Sequence, residues 1–188
     1  GSSEKAGSDP RVATEEDINA TDFRRRLAGI REAMPQARIT LVTGGYNSFE
    51  SGRVAVPTIL ALDPRPTAVI ALSDVLALGA MWALRDAGIA VPEEISVMGF
   101  DDIDEAAHSQ LTTIRQPIVE RGRTAARMVI EPEAHPKDVV LPIELMVRES
   151  TGPAPASSAA PRPTRRRCRP PAASTRSGCP HPGGSGTT

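Results

Sequence analysis

The chain has 188 residues, 39% of them hydrophobic, enough for one domain with a real core or for two small lobes. Its formal net charge of −1 hides a split: six of the 22 basic side chains (Arg162, Arg165, Arg166, Arg167, Arg169 and Arg176) and no acid fall in residues 151–188, so residues 1–150 set 16 basic against 23 acidic side chains. An acidic body excludes a phosphate-backbone footprint there, and no apolar run is long enough to span a membrane.

Residues 1–9 read as disordered or as a cloning remnant, and residues 10–150 as the folded body. Residues 151–188, rich in Pro, Ser, Ala, Gly and Arg, read as a disordered tail. The Arg165-Arg166-Arg167 run fits a solvated basic tail or a nucleic-acid contact. Both cysteines, Cys168 and Cys179, lie in this tail, so the body has neither a disulfide frame nor a Cys-ligated metal site.

Within the body, strand and helix signals alternate. The polar stretch Thr14 to Asp17 makes a strand near Val12-Ala13 weak. Ala20 to Met34 reads as a helix with Phe23, Leu27, Ile30 and Met34 on one face, stopped by Pro35. Ile39 to Thr43 reads as a strand closed by Gly44-Gly45, and Ser48 to Leu62 as a helix. Ala68 to Leu72 is apolar and bounded by turns, as a buried parallel strand is. Ser73 or Asp74 caps a helix that runs to Ala87 and stops at Gly88. Ser96 to Phe100 and Leu111 to Ile114 are strand-like, Pro117 to Ile130 is helical, and Val139 to Val147 is extended. Strands alternating with helices imply right-handed crossovers and a three-layer, doubly wound α/β fold. The strands Ile39–Thr43, Ala68–Leu72 and Ser96–Phe100 are expected in one parallel sheet.

In an open parallel sheet, ligands bind beyond the carboxyl ends of the strands. Polar groups stand at three such ends: Tyr46 and Asn47, Ser73 and Asp74, Asp101 and Asp102. Arg26, on the first helix, reaches the same rim with a fork of donors. Asp74 fits a helix cap as well as a ligand contact, and one of Asp101 and Asp102 fits a cap for the turn that follows. Paired carboxylates also suit a metal or phosphoryl-acceptor site of the receiver-domain kind, but that site wants a late lysine, and Arg115-Gln116 stands there instead. His108 and His135 have no metal-ligand spacing. No nucleophile elbow, phosphate loop or dinucleotide fingerprint occurs, so neither an enzyme nor a cofactor is expected.

Four stretches stand out in order: Pro66 to Ala80 reads PTAVIALSDVLALGA, Arg85 to Asp102 reads RDAGIAVPEEISVMGFDD, Leu111 to Pro117 reads LTTIRQP, and Leu141 to Thr151 reads LPIELMVREST. Together and in this order they resemble the LacI/GalR family of bacterial transcription regulators. The resemblance implies a fold like type I periplasmic binding proteins, here mainly the second lobe with late crossover pieces of the first. Against that pattern, the headpiece and most of the first lobe are expected to be missing from residues 1–188. It implies a small effector, a sugar by family pattern, bound in an interlobe cleft at Arg26, Asn47, Ser73 and Asp101, with Gln116 near the crossover. Asn47 stands where the family often has an aromatic, and Ser73 where Asn is common. The resemblance further implies a cytoplasmic homodimer that reaches operator DNA only through the absent headpiece and touches no membrane. Leu78, Met81 and Trp82 are expected as a hydrophobic dimer patch, because the helix from Asp74 to Ala87 is apolar nearly all round and must be covered on more than one side. A larger intrachain core is the competing explanation. A soluble or periplasmic sugar-binding protein of the same fold is the alternative function.

Overall fold

The computed structural model describes residues 9–14, 21–131, 133 and 138–155. The readings of residues 1–8 and of the basic tail beyond residue 155, with both cysteines, lie outside the described residues. The elements run β1 (Arg11–Ala13), α1 (Thr21–Ala33), β2 (Leu41–Thr43), α2 (Phe49–Leu60), β3 (Ala68–Ile70), α3 (Asp74–Asp86), β4 (Ser96–Met98), α4 (Asp104–His108), β5 (Thr113–Arg115), α5 (Ile118–Ile130) and β6 (Glu144–Met146). Helix starts follow local chemistry. Ser48 caps α2 by accepting from the Ser51 N–H, and Ser73 caps α3 by accepting from the Leu76 N–H. Gly88, at φ +78°, takes the left-handed turn that ends α3.

β3 and β4 pair in parallel, Val69 opposite Val97. Single parallel bridges, Met98 to Thr112 and Asp101 to Arg115, carry the sheet onward towards β5. β2 departs from the expected single parallel sheet: it pairs antiparallel with β1, Val42 opposite Val12, and not with β3. A three-residue strand at Arg11–Ala13 therefore forms where the sequence reading was weak. Its neighbour Pro10 sits against Gly44, where an added Cβ would come within 2.6 Å of the Pro10 Cα, and Thr58 Oγ1 donates to the Pro10 carbonyl at 3.3 Å. β5 pairs antiparallel with β6, Ile114 opposite Leu145.

The core lies where α2 and α3 cover β3 and β4. Leu84, Ile95 and Leu111 are completely enclosed, each contributing about 1.5–3 kcal/mol by leaving water. α2 and α3 touch backbone to backbone through two glycines: a Cβ on Gly52 would lie 2.1 Å from the Leu76 carbonyl oxygen, and one on Gly79 2.0 Å from that of Phe49. The second apolar side of α3 is thus covered largely by α2, within the chain. α5 is the opposite case. None of its side chains is buried, and Ile118, Val119, Val129 and Ile130 are all exposed.

The end of the body is woven into the sheet. Ser150, fully buried, accepts from the Val97 N–H on its carbonyl at 2.8 Å and donates its own N–H to the Gln110 carbonyl at 3.1 Å. Its hydroxyl donates to the Val97 carbonyl at 2.6 Å and accepts from the Thr112 N–H at 2.8 Å.

Candidate functional site

The carboxyl ends of β2, β3, β4 and β5 bring Asn47, Ser73, Asp101 and Gln116 forward, and α1 adds Arg26. These side chains form two linked clusters. In the first, the Ser73 hydroxyl donates to the Asn47 side-chain oxygen. Ser73 is buried and its oxygen also caps α3, so it stands behind the exposed Asn47 and orients it. Arg26 Nη1 donates to the carbonyl of Leu72, next to Ser73, at 2.9 Å. Its guanidinium lies over the Phe100 ring, 3.8 Å from the centroid, which fixes the plane of the fork. In the second cluster, Asp101 accepts from Gln116 Nε2 at 2.6 Å, and Gln116 Oε1 accepts from Arg121 Nη1 at 2.5 Å. Phe100 joins the clusters, since Asp101 follows it directly and feels the Arg26 charge.

The two adjacent carboxylates part company. Burial pushes the Asp101 carboxyl above its ordinary value, against the opposing pull of the Gln116 hydrogen bond, and the nearby Asp74 adds to the rise. Burial also pushes Asp102 upward, but hydrogen bonds from Arg148 and Arg115 outweigh it and hold that carboxyl below its ordinary value. Arg148 Nη2 and Arg115 Nε each stand 2.6 Å from it, one on each oxygen. With both oxygens occupied from the side of β5 and Arg148, Asp102 does not share a site with Asp101. Neither aspartate caps α4, whose first residue follows Ile103 with no side-chain cap. That is a correction to the sequence reading: both carboxylates are engaged by side chains distant in sequence.

Asp74 is neither the cap nor a rim residue. It is completely buried, and accepts from the Ile103 N–H at 2.9 Å and from the Thr113 hydroxyl at 2.5 Å, tying α3 to β5 and to the turn after β4.

The expected dimer patch is also corrected. Met81 is 3% exposed and belongs to the core, Leu78 packs partly against it, and only Trp82, 51% exposed, stands out. Met81 falls on the arc of α3 that Ala77, Ala80 and Leu84 turn to the sheet, so the three residues do not form one outward stripe. The Trp82 ring lies near that of Phe49, itself exposed, with ring centroids 6.5 Å apart.

Sequence reasoning missed Arg115, Arg121 and Arg148 as members of this region. Arg148 stands in the quoted LPIELMVREST stretch, which was the only signal pointing to it.

A periplasmic binding protein-like domain matches residues 11–151. The transcriptional regulator DegA of Bacillus subtilis is 39% identical over 147 residues, covering 73% of this chain and 43% of that protein. A solved LacI regulator from a Rhodococcus species is 34% identical with a TM-score of 0.65, covering 73% of this chain and 54% of the other. A solved complex of the regulator CelR with cellobiose is 36% identical with a TM-score of 0.60, covering 68% and 42%. The chain thus spans less than half the length of the curated relatives it matches. The family match over residues 11–151 and the identity to regulators of this kind show that the chain belongs to the periplasmic binding protein-like domain family, in the form that LacI-type transcription regulators carry.

Proposed function

We propose that this chain is the ligand-sensing part of a LacI-type regulator and that it takes a sugar on the rim formed by Arg26, Asn47, Asp101 and Gln116, with Ser73 orienting Asn47. The observation that carries this reading is the convergence of those residues at the carboxyl ends of successive strands. A guanidinium fork, an amide and a carboxylate offer donors and acceptors matched to neighbouring hydroxyls. The relative solved with cellobiose supports a sugar as the ligand class. That the curated relatives are transcriptional regulators and repressors supports a sensor over a catalyst.

Operator DNA is contacted through a segment outside residues 11–151, since the body is acidic. Two copies associate through the outer edge of α2 and α3, where Phe49 and Trp82 stand exposed together. Calorimetric titration of the chain with cellobiose and a panel of mono- and disaccharides tests the site. Binding should be weak, in the range of about 0.1–10 mM, because a one-sided rim leaves much of the ligand in water. Asp101→Ala and Arg26→Ala should each weaken it at least about tenfold, the loss of one charge-assisted hydrogen bond. A sugar that binds equally well to both variants would place the site elsewhere.

A further inference from the structure

We propose that Arg148 is a positioning residue of this rim: by clamping the Asp102 carboxylate from below, it holds the adjoining Asp101 in its rim-facing pose. The inference rests on the effector reading for its purpose, but its geometry stands apart from any ligand. Asp101 and Asp102 are neighbours with φ of 127° and 63°, and neither is glycine. Non-glycine residues avoid positive φ, and two in succession persist only where their surroundings over-determine them. This conformation throws the two carboxylates to different partners, Asp101 to Gln116 on the rim and Asp102 to the arginines.

The two arginines are not equivalent. The Arg148 side chain is 12% exposed and faces an Asp102 side chain that is 7% exposed. Its Nη1 donates to the Leu111 carbonyl at 2.7 Å, and its backbone N–H donates to Thr112 Oγ1 at 2.9 Å. It is therefore fixed before it meets Asp102. Arg115 is 48% exposed and divides itself between Asp102 and Glu144. Water screens that pair and lets it rearrange. On the rim side, Asp101 keeps its backbone N–H on the Ile114 carbonyl at 2.9 Å and its carboxylate on Gln116, within the fields of Arg26, Arg121 and Asp74. With Asp102 released, the dipeptide is free to relax to negative φ, and Asp101 would swing off Gln116 into water.

The test is carbon-detected NMR titration of the aspartate carboxyls in the full chain, with the Gln116 side-chain amide as a second reporter. In Arg148→Met, the Asp101 midpoint should move down towards that of a solvated carboxyl, and the Gln116 amide should lose its hydrogen-bond shift. Arg148→Lys should restore part of both, and Arg115→Met should move neither appreciably. A variant Arg148→Met that melts earlier yet keeps the Asp101 midpoint and the Gln116 shift would overturn the proposal and leave the ion pair a stabilising contact only. Should that variant not fold, Asp102→Asn keeps the side-chain shape and removes the charge the arginines grip, and is judged by the same two signals. Cellobiose added to the unaltered chain judges the effector reading separately, since an Asp101 signal indifferent to the sugar counts against that reading and not against the clamp.

Discussion

Asp101 and Asp102 contribute to stability with opposite dependence on pH. The Asp101 carboxyl is raised by burial, so the folded state binds its proton more tightly than the unfolded one. Its contribution is present below the ordinary carboxylate value and is lost as pH rises through the higher folded value. Asp102 is lowered by its arginines; its contribution is present above the ordinary value and is lost as pH falls through the depressed one. Asp101→Asn removes a charge that is poorly solvated at neutral pH, keeps an acceptor for Gln116, and suits positive φ better than most residues. It should raise the melting temperature at pH 7 by on the order of 2 °C, with the gain disappearing below the ordinary carboxylate range, while weakening sugar binding. Scanning calorimetry across pH reads this, and a variant that melts earlier at pH 7 would show that the Asp101 charge is stabilising. The sequence pointed to the rim because strand ends announce themselves by turn residues and short polar side chains. It did not separate the two aspartates, because their partners lie 13 to 46 residues away and no local pattern encodes which carboxylate meets which arginine.

At the scale of elements, periodicity located α1, α2, α3 and α5 to within a few residues; it missed the five-residue α4, too short to show a period, and the other failures came where a pattern does not name its partner. Leu41–Thr43 reads as a strand whichever neighbour it takes, and the structure gives it β1. The residues Leu78, Met81 and Trp82 fit a stripe by spacing alone, but α3 is covered by both the sheet and α2, so the uncovered arc is too narrow to include Met81. The glycines at the α2–α3 contact make this packing testable. Gly79→Ala puts a methyl group against the Phe49 carbonyl and should destabilise by about 1–3 kcal/mol through forced separation of the helices. Gly29→Ala, in α1 with nothing within 4 Å of the added Cβ, should instead stabilise by about 0.5–1 kcal/mol. Urea unfolding of the two variants reads both, and equal effects would mean that the helices do not approach as closely as described.

On the scale of the whole molecule, order is unevenly distributed. α3 lies in the core, whereas α5 has no buried side chain, and helices without tertiary cover open readily. Amide hydrogen exchange should show α5 exchanging at least about a hundredfold faster than the centre of α3. Comparable protection would mean that another surface covers α5 in solution. Sedimentation should likewise show the chain self-associating at tens of micromolar (about the range of a modest interface) and Trp82→Asp running as a folded monomer. A monomeric unaltered chain would remove the Phe49–Trp82 edge from consideration as an interface. Finally, Ser150 joins Val97 to Gln110 and Thr112, so the sheet is completed by some of the last residues of the body to be synthesised. During translation, β3, β4 and β5 can pair through their own backbone bonds, but the Ser150 bridge across Val97, Gln110 and Thr112 closes only when residue 150 has emerged. Closure is thus a late, long-range step, and a ribosome that pauses shortly before it holds out a half-built sheet edge for chaperones or for neighbouring nascent chains.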